Sequence, residues 1–86
     1  MKAYKMQNDS NQPEIVKALR KLGYSVLIIG QPLDLLVSSP TDMWLVEIKT
    51  KAGKLNSKQE DFILKWRGKP IIIARSLEEC LEKMKV

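Results

Sequence analysis

The chain has no histidine and a single cysteine, Cys80. Without histidine the usual zinc sites and the Ser-His and Cys-His nucleophile systems are unavailable, and one thiol cannot build an internal disulfide framework. Any metal would have to be held by oxygen. Long apolar runs are missing too: no stretch reaches the roughly 18 residues that a membrane-spanning helix requires. The polar opening residues, 1–10, lack the apolar centre of a secretory signal. The expectation is a soluble, intracellular, cytoplasmic protein with no membrane partner. Acidic residues are in deficit, 10 against 15 Lys and Arg, for a net charge of +5, which favours a polyanionic partner. Repeats and low-complexity tracts are also absent. A chain of 86 residues makes one domain. At that size only about 60–65% of the unfolded surface is buried, so the core is thin and a homodimer would supplement it.

Residues 1–10 are polar and aperiodic and read as a flexible arm ahead of a single domain, 11–86. Pro13 suits the first turn of a helix and Asn11 its N-cap. Ile15, Val16, Ala18, Leu19 and Leu22 form its apolar face, Lys17, Arg20 and Lys21 lie opposite, and Gly23 stops it. Three short apolar runs, 24–29, 33–38 and 44–49, are divided by Gly30-Gln31-Pro32 and Ser39-Pro40-Thr41-Asp42 and predict an antiparallel meander. A second helix follows Asn56 and Gln59, which have capping-box spacing, with Gln59, Phe62, Ile63 and Trp66 turned inward and Gly68 ending it. The continuous run Ile71-Ile72-Ile73-Ala74 predicts a strand buried on both faces. Ser76 and Glu79 box a last helix with Leu77, Cys80, Leu81 and Met84 at helical spacing. The order is αβββαβα. Cys80 reads as a small core hydrophobe, and Trp44, Phe62 and Trp66 as core residues rather than base-stacking platforms.

The most informative pair is Glu47 and Lys49 in Met43-Trp44-Leu45-Val46-Glu47-Ile48-Lys49. Strand side chains alternate, so the carboxylate and the ammonium share one face and Ile48 takes the other. Ionised groups in an otherwise apolar strand need a partner or a metal, because desolvating them costs several kcal/mol. The triplet by itself is also compatible with an edge strand carrying a solvated ion pair. Lysines cluster here: Lys49, Lys51, Lys54 and Lys58 lie close together, and Lys65, Arg67 and Lys69 follow one helix later.

The element order, an acid in the first helix, Asp34 at the second strand and Glu47-x-Lys49 on the third together resemble the PD-(D/E)XK nuclease superfamily. Within it the chain resembles the VRR-NUC family, virus-type replication and repair nucleases found alone in phages and as domains of larger repair enzymes. The resemblance rests on Asn11-Gln12-Pro13-Glu14-Ile15-Val16 with Leu19 and Gly23, on Pro32-Leu33-Asp34-Leu35-Leu36-Val37, and on Leu45-Val46-Glu47-Ile48-Lys49 followed by Leu55 and Gln59. It covers about residues 9–84. Leu33 separates Pro32 from Asp34, where the family's proline abuts the aspartate, and Asn56 stands where Ser or Thr is common.

The resemblance implies a restriction-endonuclease-like α/β core with a mixed sheet, and a metal-dependent endonuclease of prokaryotic or phage replication, recombination or DNA repair. Two carboxylates about 4 Å apart would repel by roughly 4 kcal/mol at an effective dielectric of 20, and a cation would remove that repulsion. Oxygen ligands select a hard ion, Mg²⁺ or Mn²⁺, held by Asp34, Glu47 and the backbone carbonyl of Ile48. Lys49 is implied as the residue that orients or helps deprotonate the attacking water. Glu14 would hold metal-bound water or a second metal. Gln59 would position the lysine or the phosphate, or serve as a cap alone. Lys51, Lys54, Lys58 and Arg67 are the expected DNA contacts, and branched DNA such as a four-way (Holliday) junction, cut by a homodimer, is the expected substrate. The alternatives are a non-catalytic DNA-binding module with the same fold, and a subunit-assembly domain whose carboxylates only form ion pairs.

Overall fold

Helix α1 (Gln12–Lys21) begins with Pro13 in its first turn, where the missing N–H would have had no intrahelical partner. The computed structural model that shows this describes residues 10–85, so the expected arm, Ser10 apart, lies outside the described residues. Gln12, Ile15, Val16 and Leu19 are the buried stripe of α1, one face at the 3.6-residue period. Gly23, at φ 103°, adopts the left-handed conformation that turns the chain out of the helix. Asn11 occupies the N-cap position without capping: its backbone is helical and its side chain makes no cap hydrogen bond. Its Nδ2 instead donates to the carbonyls of Lys49 (3.2 Å) and Arg75 (3.1 Å), tying the start of α1 to the chain beyond two strands.

Strands β1 (Ser25–Ile28), β2 (Leu35–Ser38) and β3 (Met43–Ile48) form an antiparallel meander. Helix α2 (Ser57–Lys65) then crosses over to β4 (Ile72–Ala74), which pairs parallel to β3, and α3 (Leu77–Met84) closes the described chain. The fold is thus mixed α/β, with one four-stranded sheet in the order β1-β2-β3-β4 and three helices. The register sets Val26, Val37 and Trp44 in one row and Ile28, Leu35, Val46 and Ile72 in the next. These residues share a face because alternate residues of a strand do. α1 and α3 cover it, contributing Ile15, Val16, Leu19, Cys80 and Met84 to the core. Trp44 and Cys80 are buried as expected.

The opposite face carries Leu27, Leu36, Leu45, Glu47 and Ile73 and is less completely covered. β4 is an edge strand, and Ile71 and Ile73 are only half-buried, because no residue of α2 is fully buried on this side. α2 ends at Lys65, before Gly68. Trp66 is its C-cap in extended backbone (φ −68°, ψ 135°), so its ring leaves the helix's inward face and is 42% exposed instead of joining the core. Gln59, Phe62 and Ile63 remain half-buried. The Asn56/Gln59 capping box is complete. The second box is half-formed: Ser76 Oγ accepts from the Glu79 N–H (3.1 Å), but the Glu79 carboxylate accepts from the Arg75 N–H (2.7 Å) rather than from the Ser76 amide.

Candidate active site

Asp34 sits one residue before β2, and the pairing of Leu35 with Val46 places it opposite Glu47. Alternation along β3 puts Glu47 and Lys49 on that same face. At this end of the β2/β3 pair, carboxylate oxygens bind backbone amides. Glu47 Oε1 accepts from the Asp34 N–H (3.1 Å), and Asp34 Oδ2 accepts from the Ile48 N–H (2.8 Å). Each acid is therefore tied to the segment that carries the other. Both are buried, Asp34 to 5% and Glu47 to 2% exposure, where an uncompensated carboxylate would be strongly destabilising.

Two more groups compensate Glu47. Lys49 Nζ lies 3.2 Å from Glu47 Oε2, with only 14% of its side chain exposed. Gln59 Nε2 donates to the same oxygen at 2.7 Å. The capping role and the site role of Gln59 are held together: its Oε1 accepts from the Asn56 N–H (3.1 Å) while its Nε2 faces Glu47. That capping bond decides which end of the amide points at the carboxylate. The first turn of α2 is thereby docked on the site. Leu33, which separates Pro32 from Asp34, is completely buried and anchors the chain just before the aspartate.

Glu14 is not part of this cluster. It is exposed on α1 and lines a hollow of about 380 Å³ with Asn11, Arg75, Ser76 and Glu78. Among the described residues no three Asp, Glu or Cys side chains form a group that could hold a metal ion. The reason is helical geometry, since position 14 is turned well away from the stripe of Gln12, Ile15, Val16 and Leu19. Gln12 is the polar residue that α1 buries, at 3% exposure, and its Oε1 has no hydrogen-bond partner among the described residues. Its place at i, i+3, i+4 and i+7 from the apolar stripe was the available sequence signal. Lys51, Lys54, Lys58 and Arg67 are all exposed. The connection that carries Lys51 and Lys54 is pinned where Arg75 donates to the Gly53 carbonyl (2.8 Å).

The donor set fits a hard cation. Asp34, Glu47 and the carbonyl of Ile48 offer only oxygen, the ligand type that Mg²⁺ and Mn²⁺ take. A carboxylate has about four acceptor directions. Three of those of Glu47 are engaged, by the Asp34 amide, Gln59 and Lys49, which leaves one direction for a further ligand. Comparison with models of protein families, with curated proteins and with solved structures finds no match for this chain.

Among the described residues no helix is long and apolar enough to cross a membrane.

Proposed function

We propose that this chain is a divalent-metal-dependent endodeoxyribonuclease with a restriction-endonuclease-like core, in line with its resemblance to the VRR-NUC family. The observation that carries the reading is the buried cluster of Asp34, Glu47, Lys49 and Gln59 at one end of the β2/β3 pair. Two acids and a lysine are largely buried side by side at this end of the sheet, at a desolvation cost that an apolar trio would avoid.

Asp34, Glu47 and the Ile48 carbonyl would hold Mg²⁺ or Mn²⁺. When bound, the ion polarises a phosphoryl oxygen, activates water and stabilises the leaving 3′-oxygen. Lys49 orients the attacking water and offsets negative charge that develops on the phosphate. Gln59 fixes the Glu47 carboxylate, so that it does not have to reorganise during the reaction. Water adds to phosphorus and the bond to the 3′-oxygen breaks, leaving a 5′-phosphate and a 3′-hydroxyl. The exposed Lys51, Lys54, Lys58 and Arg67 would neutralise flanking phosphates.

Branched DNA, a four-way junction above all, is the proposed substrate, and a homodimer the proposed enzyme. A two-fold dimer presents two sites with the symmetry that such a junction shares. The exposed Leu27 (58%) and Met43 (56%) supply apolar surface for self-association.

The deciding experiment is a cleavage panel on linear, flap, fork and four-way junction DNA, with and without Mg²⁺ or Mn²⁺, alongside sedimentation equilibrium. Cleavage should require metal and disappear in Asp34→Ala and Glu47→Ala. Equal cleavage by these variants and the wild type would overturn the assignment. Tight, metal-independent junction binding without cleavage would favour the DNA-binding module instead.

A further inference from the structure

We propose that Trp66 is a stacking platform for an unpaired base of the strand that reaches the candidate active site. The end of helix α2 at Lys65 delivers the ring to the surface, where it stays 42% exposed. The ring is nevertheless held. Its Nε1–H donates to the Lys69 carbonyl (2.9 Å), and Phe62 packs on it at 5.5 Å between centroids and 31° between planes. The backbone of Gly68 passes so close that a Cβ there would lie 2.8 Å from Nε1 and Cζ2. A large aromatic surface fixed in place before binding loses little freedom when a base stacks on it.

The surroundings choose the occupant. Lys58, Lys65, Arg67 and Lys69 lie on α2 or just after it, and all are exposed. Lys65 and Lys69 pair with Asp61 and Asp42 in solvent, where such pairs are worth little. Lys58 and Arg67 enter no ion pair among the described residues. An exposed ring in a stretch of chain rich in exposed lysine and arginine fits a single strand, whose bases stack while its phosphates are neutralised. It fits a second copy of this basic chain poorly, because lysines are depleted from the centres of protein interfaces. A base inside a duplex already has both faces covered, so the platform selects unpaired bases.

Trp66 also stands in a useful place. Gln59, at the other end of α2, touches Glu47. Seven residues, helical as far as Lys65 at 1.5 Å each, separate the two by roughly 10 Å, or about three nucleotides of a stacked strand at about 3.4 Å each. A base held by Trp66 would thus fix which phosphate reaches Asp34, Glu47 and Lys49. This positional part rests on the nuclease reading; the stacking part does not.

The test is tryptophan fluorescence of the full chain titrated with oligothymidylate in EDTA at low salt. Trp44 is only 7% exposed, so quenching reports Trp66. Wild type should be quenched, and Trp66→Ala should bind the oligonucleotide about 5- to 150-fold more weakly. Trp66→Phe should retain more affinity than Trp66→Ala, and binding of blunt duplex should be little changed by either. Unaltered single-strand affinity in Trp66→Ala, or no quenching in wild type, overturns the proposal. So does sedimentation equilibrium in which Trp66→Ala turns an associated wild type into a monomer of equal single-strand affinity, for the ring would then belong to a contact between copies. Quenching without any cleavage in Mg²⁺ would keep the platform and remove the nuclease reading; cleavage without quenching would do the reverse.

Discussion

Lys49→Met should leave the protein folded at low temperature but much less stable, and should make its stability depend on divalent metal. The ammonium lies 3.2 Å from Glu47 Oε2, and both side chains are largely buried. At an effective dielectric of 20 their gross attraction is about 5 kcal/mol. Desolvation of the two ions cancels much of this in the wild type. Deleting one partner strands the other, and that typically costs about 3–5 kcal/mol. Glu47 keeps the Asp34 amide and Gln59 as donors, so the lower end, about 3 kcal/mol, is expected. In a domain of this size each kcal/mol moves the midpoint by roughly 4–8 °C, which predicts a fall of roughly 12–24 °C. Methionine replaces most of the lysine stem, so lost packing adds little.

The assay is thermal unfolding followed by far-ultraviolet circular dichroism, with and without Mg²⁺ or Mn²⁺. A bound cation restores the missing positive charge, so metal should raise the midpoint of Lys49→Met more than that of wild type. Glu47→Gln/Lys49→Met should be less damaged than the two single changes added together, because the stranded charge is gone. A metal-free midpoint of Lys49→Met within about 2 °C of wild type would refute the reasoning, since it corresponds to well under 1 kcal/mol. So would strict additivity in the double variant.

Two further outcomes concern α3. Burial pushes the Cys80 thiol up to about 11; alkylation at neutral pH should therefore be slow in the folded protein and fast after unfolding. Because the folded value lies above the ordinary 9.0, the corresponding stability is present below pH 9 and is lost as pH rises through about 11, which urea midpoints on the alkaline side would record. The Glu79 carboxyl is held below its ordinary 4.5 by the hydrogen bond from the Arg75 amide and then by Lys83. Its contribution is present above that ordinary value and is lost as pH falls through the depressed one. Glu79→Gln should thus be less stable than wild type near neutrality, with the gap closing in acid; a gap that is constant down to about pH 3 would contradict the cause assigned.

The sequence by itself determined what depends on neighbours a few positions away. Alternation put Glu47 and Lys49 on one face, and the spacing of Asn56 and Gln59 announced a capping box that formed in full. Turn residues divided the meander, and the helical spacing of Cys80 and Met84 identified core positions. Only the tertiary structure decided what depends on register and docking. The Asp34 amide meets Glu47 across 13 residues, and Gln59 meets it across 12, once β2 and β3 are paired and α2 is laid on their end. Asn11 left its expected cap because the carbonyls of Lys49 and Arg75 were brought within reach. Glu14 and Gln12 are two residues apart, yet α1 docks through Gln12's stripe, leaving the acid in solvent. Trp66 fits the period of α2, but the helix stops one residue short of it. Period predicts the face of a residue only while the element lasts, and where an element ends is settled by what it packs against.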